Sequence, residues 1–73
     1  MGRVAVIGEA RRAEGFALAG ATVFCTEDAA GAREAWAALA DDTALVVLSP
    51  MAAAAVAEMP AANDDLLTVV MPK

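Results

Sequence analysis

The chain has 73 residues and a net charge of −5, and hydrophobic residues make up 60% of it, much of that alanine. That is one domain with a small-residue core, because a chain this short buries only about 60% of the surface its unfolded form exposes. The acidic balance, with no basic cluster beyond Arg11-Arg12, argues against nucleic acid and anionic membrane as partners. The absence of histidine and the single Cys25 exclude an internal disulfide and an ordinary zinc site.

Every apolar run is interrupted by charge or proline before it reaches membrane-spanning length, so no direct membrane insertion is expected. Glu9 follows the first apolar run at once, so the N-terminus does not read as a signal peptide. Together with the cysteine usage, this leads to an expected cytoplasmic location.

In chain order, Val4–Ile7 reads as a buried parallel strand, and Gly8 allows a sharp turn after it. A helix is expected from about Glu9 to Ala19. Ala10, Ala13, Phe16, Ala17 and Gly20 share one face; Arg11, Glu14 and Leu18 share the other. Leu18 lies about 160° from Phe16 on an ideal helix. It therefore packs either on the edge of its own domain or on a partner. Gly20 stops this helix, and Ala21–Cys25 forms the second strand, with Cys25 expected as a buried strand-end thiol.

Thr26 or Asp28 caps a second helix with an apolar stripe of Ala29, Ala32, Trp36, Leu39 and Ala40, ending before Asp41-Asp42. Ala44–Leu48 is the third strand. Ser49-Pro50 is a strong helix start, with Ser as N-cap and Pro in the first turn. The third helix, Met51 to about Met59, is stopped by Pro60. Ala61–Asp65 is a turn, and Leu66–Met71 is the fourth strand.

This βαβαβαβ order predicts a small flavodoxin- or Rossmann-like three-layer α/β domain. It has a four-stranded parallel sheet in order 2-1-3-4 and three helices. The first helix then lies alone on one face, and that face has no cover over strands three and four. Apolar residues exposed there would require a partner.

The switch point of such a sheet gathers Gly8, Glu9 and Ser49. Phosphate-binding glycine motifs are absent, and Glu9 would repel a phosphate. A phospho-receiver would need an acceptor Asp where this chain has Ser49. Glu9 reads as an acid on the helix dipole and Ser49 as an N-cap. No catalytic residues and no cofactor are expected. The alternative is a small ligand-binding or phosphotransfer domain using the Gly8, Glu9, Ser49 crevice.

Gly8-Glu9, the run Gly15-Phe16-Ala17-Leu18-Ala19-Gly20, and the closing Met71-Pro72 pair resemble the F subunit of the V-type and A-type rotary ATPases (ATP synthases). The resemblance implies a non-catalytic component of the central stalk. It would dock on the coiled-coil D subunit of the rotor and on the A/B catalytic head, coupling ATP hydrolysis or synthesis to ion transport. On that basis the partner-binding residues are Gly8, Glu9, Gly15, Phe16, Leu18, Ala19, Gly20 and Ser49. Members of that family continue past the last strand into a C-terminal helical segment. This sequence stops at Lys73, so a short or C-terminally truncated form is expected. In isolation, homo-oligomerisation could hide the uncovered face.

Overall fold

The computed structural model describes residues 2–17, 20–61 and 65–72. Its elements are β1 (Arg3–Gly8), α1 (Ala10–Ala17), β2 (Thr22–Cys25), α2 (Ala29–Ala37), β3 (Thr43–Leu48), α3 (Pro50–Val56) and β4 (Leu67–Val70). The sheet is parallel throughout, in order β2-β1-β3-β4. Its two central strands, β1 and β3, hold most of the buried strand residues.

Side chains alternate between faces along each strand. Ala5 and Ile7 of β1, with Val46 and Leu48 of β3, join one buried cluster with Ala32, Trp36 and Leu39 of the α2 region and Ala52 and Val56 of α3. Val6 and Ala13 are fully buried outside that cluster, on the face where α1 packs against β1 and β2. The layers are therefore α1, sheet, and α2 with α3. Alanines at the helix contacts let the helices lie close, and Ile7 and Leu48 each contribute about 1.5–3 kcal/mol on burial.

Local chemistry sets the helix ends. Asp28 rather than Thr26 caps α2, its Oδ1 accepting from the Gly31 N–H at 2.7 Å. Ser49 caps α3, its Oγ accepting from the Ala52 N–H at 3.2 Å, with Pro50 in the first turn. Gly20 has a φ of +85°, a left-handed conformation open to glycine, where the chain turns into β2.

Three expectations are corrected. Cys25 is exposed, not buried, because it ends a strand at the sheet edge. Ala10, Ala29 and Ala40 are also exposed, whereas Ala35 belongs to the core. Ala10 and Ala29 open their helices and Ala40 lies beyond α2, so all three overhang the sheet. The third helix closes at Val56, three residues before the expected Met59, where the chain tightens into a turn whose Met59 N–H donates to the Val56 carbonyl at 3.0 Å. Leu18 and Ala19, expected in the first helix, lie outside the described residues, as do positions 62–64 of the last turn and the side chain of Phe16.

Candidate functional site

The carboxyl ends of β1 and β3 meet as the strand order requires. The Ser49 N–H donates to the Ile7 carbonyl at 3.0 Å, and the Thr26 N–H donates to the Gly8 carbonyl at 2.9 Å. The approach is close enough that a Cβ on Gly8 would stand 2.9 Å from Cβ of Ser49. Both residues are buried. The crevice is thus closed at its base by backbone, with Glu9 at its rim.

Glu9 immediately precedes α1, its carbonyl accepting from the Ala13 N–H at 3.0 Å. Its carboxyl is held below the usual carboxylate range, first by the Ser49 hydroxyl, then by its own backbone amide, and more weakly by Arg12 and Arg11. Partial burial acts in the opposite direction. Oε1 is shielded from solvent and has no hydrogen-bond partner among the described residues. Arg12 Nε lies 3.9 Å from Oε2.

A second carboxylate reaches the same helix end: Glu27 Oε2 accepts from the Ala10 N–H at 3.0 Å. Two acids therefore already complement the positive end of α1. A phosphate approaching it would meet both charges. Ser49 Oγ accepts from the Ala52 N–H as a cap, and Glu9 is stabilised in its charged form.

Of the residues that the resemblance implies, five are described with their surroundings: Gly8, Glu9, Gly15, Gly20 and Ser49. Gly8, Glu9 and Ser49 gather at the carboxyl end of the sheet. Gly20 lies beside Gly2, Arg3 and Val4, at the amino end of β1. Gly15 is exposed in α1, with open space where a Cβ would stand. Leu18, Ala19 and the side chain of Phe16 lie outside what is described.

No family model, curated protein or solved structure matches this chain. What the protein does must therefore be read from its own surface.

The surface that stands out is the sheet face beside α1. The strand register places Val4, Leu45 and Leu67 in one row across β1, β3 and β4, and Val6, Val47 and Val69 in the next. Neighbours paired in a parallel sheet project to the same face. Val6 is fully buried beside α1, whereas Val69 at the outer end of its row is 49% exposed, and Leu67 is 67% exposed. In the second row exposure rises from Val6 to Val69, and the outer half of the face is uncovered by the described residues. Sequence reasoning located this face but named none of these residues, because its site residues came from the Gly8–Gly20 stretch. Strand parity, counted from Val6 through the register, identifies them.

At one end of the face, Arg12 Nη1 donates to the Pro72 carbonyl at 3.1 Å, tying α1 to the chain just past β4. Among the described residues no helix is long and apolar enough to cross a membrane.

Proposed function

We propose that this chain is a non-catalytic docking module whose partner covers the sheet face over β3 and β4. The observation that carries the reading is the exposure of Leu67 and Val69 in the same rows as buried and half-buried apolar neighbours. An apolar face of this kind marks an interaction surface. The two carboxylates at the start of α1 weigh against the alternative, a phosphate or nucleotide site in the crevice.

The resemblance to the F subunit of rotary ATPases supplies the setting: a central-stalk component that docks on the coiled-coil D subunit and couples the catalytic head to ion transport. A coiled-coil helix offers an apolar stripe to match the rows of the open face.

The test is co-purification with the rotor D subunit of a V-type or A-type enzyme, for this chain and for Leu67→Asp. Stable capture of the unaltered chain, lost in Leu67→Asp at unchanged melting temperature, is the expected result. Absence of capture rejects the rotary-ATPase setting. Capture that persists in Leu67→Asp shows that the partner does not use this face.

A further inference from the structure

β4 is an edge strand, and all four of its residues are exposed. Its free edge can be read from the backbone. The Met71 N–H donates to the Leu48 carbonyl at 2.8 Å, so odd-numbered positions direct their backbone groups at β3. Thr68 and Val70, one position out of phase, direct theirs away from the sheet. Proteins usually blunt such an edge with a charge, a proline, a bulge or a very short strand, and of these β4 has only its four-residue length. From Leu66 to Met71 the sequence has no charged residue and no proline, and the β3–β4 register runs from Leu45↔Leu67 to Leu48↔Val70 without a shift.

We propose that β4 pairs antiparallel with β4 of a second copy of this chain, on a two-fold axis beside Val69. The outward backbone groups restrict the register to even-numbered positions facing even-numbered ones, which an axis beside Val69 satisfies. Thr68 lies opposite Val70 of the second copy as a hydrogen-bonded pair, and the symmetry repeats that pair. Val69 then faces its own equivalent in a close, non-hydrogen-bonded pair, and Leu67 faces Met71. The pairing is isologous, as a two-fold interface requires, and joins two four-stranded sheets into one.

The charges at the two ends of β4 fit a second copy as the occupant, against the general repulsion of two chains of net charge −5. The Arg12 guanidinium is held at the carboxyl end of β4 by the Pro72 carbonyl, while Asp65 precedes β4 at its other end. Antiparallel pairing sets the Arg12 end of each copy beside the Asp65 end of the other, so opposite charges meet twice around an uncharged centre. This interface uses the strand edge rather than the open face and does not depend on the rotary-ATPase reading.

The test is sedimentation equilibrium of the purified chain, alongside Val70→Pro and Val69→Lys. Proline at position 70 removes an edge-directed N–H but none that bonds to β3, so an edge strand tolerates it. Lysine at position 69 sets two ammonium groups face to face on the axis. The unaltered chain is expected to be dimeric, and each variant to raise the dimer Kd at least about tenfold. Circular dichroism checks that each variant is folded; if Val70→Pro unfolds, Val69→Lys decides. A monomeric unaltered chain, or a dimer whose Kd is unchanged in a folded variant, overturns the proposal. Val70→Pro leaves Leu67 and Val69 in place, so loss of the dimer with retained capture of the rotor D subunit separates this interface from the docking face.

Discussion

The indole N–H of Trp36 in α2 donates to the carbonyl of Pro60 at 2.9 Å, tying the second helix to the segment that leaves the third. The ring itself is buried in the main core cluster. Trp36→Phe keeps an aromatic ring but leaves the part-buried carbonyl without its donor, at an expected cost of about 1 kcal/mol. Trp36→Ala also loses the packing and costs about 3–5 kcal/mol. Urea denaturation followed by circular dichroism checks both, and equal costs for the two variants would show that the hydrogen bond, not the ring, matters.

Gly8 and Ser49 approach too closely for a second side chain. A Cβ at position 8 would stand 2.9 Å from Cβ of Ser49, inside the usual carbon–carbon contact of about 3.5–4.0 Å. Gly8→Ala therefore forces the ends of β1 and β3 apart, with an expected loss of about 1–3 kcal/mol. Ser49→Gly removes the opposing Cβ at a smaller cost of its own. A double-mutant cycle should give a combined loss below the sum of the single losses, and strict additivity would disprove the contact.

Glu9 links stability to pH. Its folded-state pKa lies below the ordinary 4.5, so the folded state binds its proton more weakly than the unfolded state does. The stabilisation from this group is complete above about pH 4.5 and is lost as pH falls through the lowered folded pKa. Melting temperatures of the unaltered chain and of Glu9→Gln should differ near neutral pH and converge in acid. A constant difference across that range would remove Glu9 from the linkage.

Gly15 sits within α1 with open space around the position of a Cβ. Glycine in a helix interior costs about 0.5–1 kcal/mol relative to alanine. Gly15→Ala should raise the melting temperature by several degrees, at about 4–8 °C per kcal/mol for a domain near this size. If Gly15 belongs to the partner-binding set that the resemblance implies, the same variant binds its partner less well while melting higher.

The elements were legible because their signals are local. Ser49-Pro50 announces α3, Asp28 caps α2, and the runs around Val6, Val46 and Val69 read as strands from composition alone. Boundaries moved where a neighbour supplied the bond. β1 starts at Arg3 because the Arg3 N–H donates to the Asp42 carbonyl at 2.9 Å, a contact between residues far apart in the chain. Alanine misled at positions 10, 29, 35 and 40, since a methyl group suits a helix contact and a solvent-facing turn equally well.

Residue pattern alone specifies the alternation of strands and helices, their caps, and through connection rules the 2-1-3-4 order of a parallel sheet. Which side chains lack cover is settled at the tertiary level. Leu67 and Val69 look like core residues in a run of apolar positions, as Val46 and Leu48 do. Register turns them to the face beside α1, where the helix stops short of β4, while Val46 and Leu48 face α2 and α3. A slip of one residue would have exchanged the two faces of the strand. That choice is made by the backbone pairing of β3 with β4, which no local pattern in either strand contains.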